Sequence, residues 1–320
     1  MAGARIFVTW PMEAEARAIL APLGAVETSP TEDELPEAEL AARLADAEAV
    51  IPMGAHRVSA SLIAAAPRLR VIAVAAVGYN LIDVEAASRR GILVTNTPGV
   101  LTETTADMAW ALMLATARRV VEADRFVRAG RWKGVTWSLM LGGDVHGRTL
   151  GIVGLGRIGK AIARRARGFG MRVLYHSRRP DPDAAGLGAA YRDRGELFRE
   201  SDFVVLAVPL TPETRRLVGE AELGLMRPEA ILVNVARGPV VDEAALARAL
   251  REGRLAGAGL DVFEDEPRVH PELLGLEQVV LTPHIGSASR ATRLAMARRA
   301  AENCRAALRG ERPPDLVNAS

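Results

Sequence analysis

Cysteine is almost missing from this sequence, with Cys304 standing alone among 320 residues. A single thiol excludes an intrachain disulfide and a thiolate metal site. The five histidines, His56, His146, His176, His270 and His284, show no His-x-x-x-His spacing, so no metal is expected. Lysine occurs only at Lys133 and Lys160, the remainder of the 41 basic residues being arginine, and asparagine and glutamine are sparse. A hot habitat and a GC-rich genome both produce that bias. The formal net charge is only +2, and no dense basic run has aromatics interleaved with it, so a nucleic-acid partner is not expected. Apolar runs stop well short of the ~20 residues that a membrane span needs. The opening stretch Met1–Trp10 is too short to be a signal peptide and reads as a first strand, which makes a cytoplasmic location the expectation.

What is present is the composition of an ordinary globular protein, long enough that two domains are expected rather than one core. Short β-branched runs alternate with alanine-rich helical stretches, the pattern of parallel α/β architecture. In the first third, strands are predicted at Arg5–Thr9, Ala49–Ile51, Val71–Ala75 and Ile92–Val94, with helices such as Met12–Ala21 and Ser59–Ala66 between them. Thr97-Pro98-Gly99 breaks the pattern before a long helix from Thr102 to Arg118. A second series runs through Arg148–Val153, Arg172–Tyr175, Phe203–Ala207, Ile231–Val233, Ala258–Asp261 and Val279–Thr282. One amphipathic helix, Ala288–Leu308, then crosses back to the first domain. The expected fold class is α/β, two doubly wound parallel-sheet domains. Residues 1–98 with 288–320 form a flavodoxin-like, substrate-binding domain, and residues 99–287 form a Rossmann-type domain inserted into it, with a cleft between the two.

Gly154-Leu-Gly156-Arg157-Ile158-Gly159 lies between a predicted strand and a helix, where dinucleotide folds place such a loop. The first glycine allows the tight turn, the second lets backbone approach a pyrophosphate, and the third permits close helix packing. At the end of the following strand an NAD-specific protein has an acid for the ribose hydroxyls, whereas this chain has Ser177-Arg178-Arg179. A hydroxyl and two guanidinium groups suit a 2′-phosphate, so NADP(H) is the preferred cofactor and NAD(H) the alternative. If Arg178 and Arg179 are merely solvated surface charges, the selectivity is loose.

Further on, Arg237 occurs in Asn-Val-Ala-Arg-Gly-Pro, Glu266 in Gly-Leu-Asp-Val-Phe-Glu-Asp-Glu-Pro and His284 in Leu-Thr-Pro-His-Ile-Gly. An arginine fork, a carboxylate and an imidazole are the three groups that reduction of a 2-oxo acid needs. The arginine grips the substrate carboxylate, the histidine gives a proton to the carbonyl oxygen, and the glutamate favours the protonated imidazole. Each has a duller alternative: an interdomain salt bridge for Arg237, a structural histidine for His284, a solvated acidic face for Glu266 beside Glu264 and Asp265.

The chain resembles the NAD(P)-dependent D-2-hydroxyacid dehydrogenases through nearly its whole length. The resemblance rests on Ala76-Val-Gly-Tyr-Asn-Leu-Ile-Asp83, Thr104-Thr105-Ala-Asp107, the glycine loop, Val208-Pro209-Leu-Thr-Pro-Glu-Thr214, Asn234-Val-Ala-Arg237-Gly, Gly259-Leu-Asp261-Val and Thr282-Pro-His284-Ile-Gly, in that order. Within the family it is most similar to the glyoxylate/hydroxypyruvate reductase branch, through Arg131-Trp132-Lys-Gly-Val-Thr-Trp137 and the Ser-Arg-Arg signature. It departs at Gly78-Tyr-Asn80-Leu81, where many members have Gly-x-Asp-Asn or Gly-x-Asp-His. That loop is expected to act through backbone N–H groups, so the change leaves its role intact.

The resemblance implies a substrate carboxylate held by the N–H groups of Val77 and Gly78 and by Arg237, with Met53 beside it unless it is a core methionine. His284 is implied as general acid and base with Glu266 as its partner. The cofactor path is lined by Thr105, Gly154, Gly156, Arg157, Ile158, Gly159, Ser177, Arg178, Arg179, Val208, Pro209, Thr214, Ala236, Arg237, Asp261, His284 and Gly286. Asp261 accepts from the nicotinamide carboxamide or is a turn carboxylate. The helix after Pro98 and the Phe126–Leu141 excursion form a homodimer interface, in which Trp137 reaches the neighbouring subunit's active site or packs in the seam. The implied activity is NADPH-preferring reduction of glyoxylate and hydroxypyruvate. Its competitors are another enzyme of the family, such as phosphoglycerate dehydrogenase, and a dinucleotide-sensing binding protein like the co-repressors built on this fold. The absence of an appended docking or regulatory segment after the crossing helix speaks against the last and against longer dehydrogenases.

Overall fold

The computed structural model describes residues 3–318; Met1, Ala2, Ala319 and Ser320, the outermost residues of the expected first domain, lie outside them. The chain forms two compact units, one from the N-terminal stretch through Leu101 together with the stretch from Ala288 onward, the other Thr102–Ser287. Among the described residues no helix is long and apolar enough to cross a membrane.

The first unit is built on a five-stranded sheet of β1 (Ala4–Val8), β2 (Gly24–Thr28), β3 (Ala49–Ile51), β4 (Val71–Ala73) and β5 (Leu93–Thr95). The strands are all parallel, in the order β2-β1-β3-β4-β5. This is the flavodoxin-like order. Its strands are apolar on both sides, as a sheet covered by helices on each face requires. Successive residues therefore serve opposite cores. Ile6 and Val8 pack with Ala300, Ala301 and Cys304 of the helix Arg290–Leu308, whereas Phe7 packs with Leu40, Leu44 and Ile63 on the other face. The predicted long final helix is present, and Ser289 caps it by accepting the Thr292 N–H. Cys304 is fully buried in that packing, and burial pushes its thiol up to about 12.

The second unit carries β6 (Thr149–Val153), β7 (Arg172–His176), β8 (Ala189–Tyr191), β9 (Phe203–Leu206), β10 (Ile231–Asn234), β11 (Gly257–Leu260) and β12 (Val279–Leu281). All are parallel, in the order β12-β11-β10-β9-β6-β7-β8. This is the Rossmann order with one strand added, and its topological switch falls between β6 and β9. Helix Thr102–Ala117 lies against the sheet, with Ala109, Leu112 and Met113 buried among Ile152, Val205 and Val233. The α/β fold class read from the sequence is the one observed.

Two strands were not anticipated, β2 and β8, and both are sheet edges paired on one side only. β2 alternates half-buried and exposed residues and β8 exposes two of its three, so neither has the continuous apolar run that the other edges, β5 and β12, keep. Helix Val120–Arg128 was also not anticipated. It follows Arg119, which turns the chain in a left-handed conformation (φ 53°), and it carries no buried residue.

The first βα turn of the second unit is as tight as the sequence demands. Gly154 has φ 99°, a region closed to most side chains, and a methyl there would meet the Ala207 carbonyl and the Val208 side chain. Gly159 lies so close to the Gly154 carbonyl that a methyl would overlap it. Gly159→Ala is therefore expected to spread this turn, lowering the thermal midpoint and weakening nicotinamide cofactor binding in a fluorescence titration; an unchanged dissociation constant would contradict the packing described.

Candidate active site

In an open parallel sheet, ligands bind beyond the carboxyl ends of the strands at the topological switch. Every residue singled out in the second unit's strand series lies just past such an end. The glycine loop follows β6, Ser177-Arg178-Arg179 follows β7, Val208-Pro209 follows β9, Arg237 follows β10, Asp261 to Glu266 follow β11, and His284 follows β12. β10, β11 and β12 are neighbours, so the arginine, the acid and the histidine come from three consecutive strands.

His284 Nδ1 and Glu266 Oε2 are 2.8 Å apart. The other carboxylate oxygen, Oε1, accepts the Phe263 N–H at 3.0 Å. Burial works against the charge of Glu266, but the His284 bond and charge, the Phe263 N–H and the charge of Arg237 outweigh it and hold the carboxyl below its ordinary value of 4.5. Arg237 is half-buried; burial pushes its guanidinium down while the Glu266 carboxylate opposes that shift. Its Nη1 donates to the Ala236 carbonyl at 2.7 Å. Asn234 shapes the turn that delivers it, accepting from Ala236 N at 3.0 Å and donating to the Arg237 carbonyl at 3.1 Å. His284 is exposed, and its bond to the acid runs through Nδ1.

His284 itself adopts φ 53°, in the left-handed region that costs a residue with a Cβ roughly 1–2 kcal/mol. Asp261 holds the strained turn. Its Oδ1 accepts Thr282 Oγ1–H at 2.6 Å and Ile285 N–H at 2.8 Å, and its Oδ2 accepts Gly286 N–H at 2.7 Å. A methyl at Gly286 would crowd Asp261 Oδ2 and approach the Thr105 methyl, which places Thr105 at the same turn. Asp261 is buried, and all its observed bonds are those of the turn carboxylate.

The glycine loop fits a dinucleotide. Gly156 is the N-cap of helix Arg157–Ala166 and offers no side chain to the first-turn N–H groups, and the space a Cβ would take there is open. Arg157 is exposed and Ile158 half-buried on that first turn. Past β7, Ser177 Oγ donates to the Arg179 carbonyl at 2.6 Å while both guanidinium groups are exposed. Glu213 is held below its ordinary range by Thr211, by its own backbone and by the charge of Arg178. Thr214 fastens its own loop, with Oγ1 donating to the Pro209 carbonyl at 2.6 Å and accepting from Thr211 N at 2.8 Å.

In the first unit, Met53 forms a parallel bridge with Ala75, two residues before Val77, and a methyl at Gly54 would crowd the Ala76 side chain. Thr9 Oγ1 accepts the Met53 N–H at 3.0 Å and Asn96 Nδ2 donates to the Val77 carbonyl at 2.8 Å. Trp137 stands apart on the extended segment, 99% exposed. Sequence reasoning did not single out Asn234 or Thr282 as turn holders. Both sit inside quoted motifs, and an Asn two residues before the turn it closes is a legible signal.

With a strand order, a glycine loop and an Arg-Glu-His edge of this kind, the molecule is a dinucleotide-dependent oxidoreductase in design. Residues 110–286 match the model of the D-isomer specific 2-hydroxyacid dehydrogenase NAD-binding domain. A glyoxylate reductase of Thermococcus kodakarensis is 56% identical over 298 residues, covering 92% of this chain and 90% of the relative. The chain belongs to the D-isomer specific 2-hydroxyacid dehydrogenase family and is an NAD(P)-dependent oxidoreductase. A crystal structure of a protein from Thermus thermophilus superposes with a TM-score of 0.92 at 48% identity, covering 98% of this chain and 100% of the other. A crystal structure of an NADPH-dependent glyoxylate/hydroxypyruvate reductase from Sinorhizobium meliloti, in complex with NADP and malonate, superposes with a TM-score of 0.89 at 38% identity, covering 99% and 97%.

A depressed carboxyl pKa is also a statement about stability. Glu266 binds its proton less readily folded than unfolded, so its stabilisation is present above 4.5 and is lost as pH falls through the depressed value. The thermal midpoint of the protein should therefore fall more steeply below pH 4.5 than that of Glu266→Gln. Parallel curves would show that the acid gains nothing from His284 in the fold.

Proposed function

We propose that the protein reduces glyoxylate to glycolate, and hydroxypyruvate to D-glycerate, with NADPH preferred over NADH. The observation that carries this reading is the His284–Glu266 bond at 2.8 Å, with the half-buried Arg237 guanidinium acting on the same carboxylate. The glyoxylate reductase relatives support the substrate class. A bound nicotinamide cofactor supplies the hydride for the carbonyl carbon. His284 gives a proton to the carbonyl oxygen and Glu266 holds the imidazole in orientation for that transfer. Arg237 binds the carboxylate as a fork and polarises the carbonyl. In reverse, the unprotonated His284 serves as base.

The cofactor end is read from Ser177, Arg178 and Arg179. The two guanidinium groups bind a 2′-phosphate. Thr105, Gly154, Gly156, Arg157, Ile158, Gly159, Val208, Pro209, Thr214, Ala236 and Gly286 line the rest of the cofactor path. Asp261 acts first on the His284 turn, and a nicotinamide carboxamide meets it only through a lone pair the turn does not use.

Turnover is the test. kcat/KM for glyoxylate should be higher with NADPH than with NADH, and an Arg178→Ala/Arg179→Ala double variant should lose about tenfold or more for NADPH while keeping NADH. His284→Asn should lower kcat about 10²–10⁴-fold in either case. Tight cofactor binding without turnover of any 2-oxo acid would instead favour a dinucleotide sensor.

We further infer that the protein is a homodimer. The helix Val120–Arg128 and the segment 129–148 carry Val127, Trp132, Val135, Trp137 and Leu141 into solvent, Val135 at 89% and Trp137 at 99% exposure. So much apolar surface on one excursion favours cover by a second copy through a two-fold contact. Trp137→Ser with Leu141→Ser should sediment as a monomer; a dimer with unchanged kinetics would remove both roles proposed for Trp137.

A further inference from the structure

Glu243 is a buried acid that no step above employs. It opens the helix Glu243–Arg251 directly after the N-cap Asp242 and is 4% exposed. An acid in a first helical turn is ordinary, but one withdrawn from water needs partners for its oxygens. Its Oε1 accepts the N–H of Glu264 at 2.7 Å. The loop so gripped is the one that carries Glu266, and Phe263 N–H in turn fixes Glu266 Oε1. Gly238, the residue after Arg237, closes on the same place from another side, where a methyl would overlap the Phe263–Glu264 peptide. From outside, Arg216 bonds Glu264 Oε1 at 3.0 Å and stands 3.7 Å from Asp242. The peptide two residues before the acid is thus held by the Arg237 turn and by Glu243, and the Glu264 side chain by the Arg216 bridge.

We propose that Glu243 is a positioning residue for the reaction, bracing the loop so that the Glu266 carboxylate stays on His284 and near Arg237. It touches neither substrate nor cofactor and acts only through the Glu264 peptide. The inference rests on the reading of Glu266 and His284 as the proton-holding couple. A shift of about 1 Å in a group that orients a catalytic base costs up to 10²-fold in rate, so the brace has room to matter without any contact of its own.

A double-mutant cycle in the whole protein tests it, with glyoxylate reduction as the readout and cofactor dissociation constants measured beside it. Glu243→Ala should lower kcat about tenfold with cofactor affinity unchanged. Glu243→Gln, which keeps an acceptor for the Glu264 N–H, should recover most of the loss. In a Glu266→Gln background, Glu243→Ala should cost less than about twofold, because the group it positions has already gone. Should the alanine variant not fold, Glu243→Asp withdraws the acceptor by one methylene and completes the same cycle. Equal losses in both backgrounds, or a wild-type kcat in Glu243→Ala, would overturn the brace while leaving the couple standing. An unchanged kcat in Glu266→Gln alone would overturn the couple, and the brace with it.

Discussion

A parallel sheet ends all its strands at one edge, and that constraint organises the second unit. Arg237, Glu266 and His284 are distant in sequence and adjacent in space because β10, β11 and β12 are neighbours running in the same direction. The cofactor loop stands beyond β6, on the same edge and across the topological switch from β9. Nothing in the side chains themselves could create this meeting. Each requires only a strand of the right length and a turn of the right shape, and the chemistry follows from where the strands stop.

The turns are where the structure is strained and where it is most heavily tied. His284 takes a left-handed backbone, and the cost is offset by three hydrogen bonds to one buried carboxylate, Asp261. The Arg237 turn is tied by the Asn234 side chain, and the Glu266 loop by Glu243 and by the close approach of Gly238. Thus each of the three candidate groups has its own anchor, and each anchor is a polar side chain or a glycine within the same unit. The pairing of His284 with Glu266 is the sum of these local fixings.

Most of this was legible in the sequence because central parallel strands are continuous apolar runs and the glycine loop has an irreducible spacing. The ten strands that were read, among them the edges β5 and β12, keep an apolar, mostly buried run and were found within one or two residues of their ends. The two that escaped, β2 and β8, are edges with half-exposed or exposed residues through most of their length, where the pattern dissolves. The site shows the same division. Arg237, Glu266 and His284 announce themselves by residue type and motif. Glu243 does not, since Asp242-Glu243 at a helix start reads as capping and charge at the N-terminus, and only the fold reveals that its side chain turns inward to a loop. The reading of Asp261 was left between two roles, and the hydrogen bonds describe the turn carboxylate in full.

The scarcity of lysine has a practical side. Of the two lysines, Lys160 is tied to Asp181 at 2.9 Å and Asp183 at 2.6 Å, whereas Lys133 is exposed in the middle of the apolar excursion. The lone thiol, Cys304, is sealed in the core and held protonated. An amine-reactive dye therefore meets one exposed lysine, and it sits on the surface proposed to meet a second copy. The native chain comes equipped with a single addressable reporter for whatever covers that surface, and with a thiol background silent enough for a second label to be introduced anywhere else.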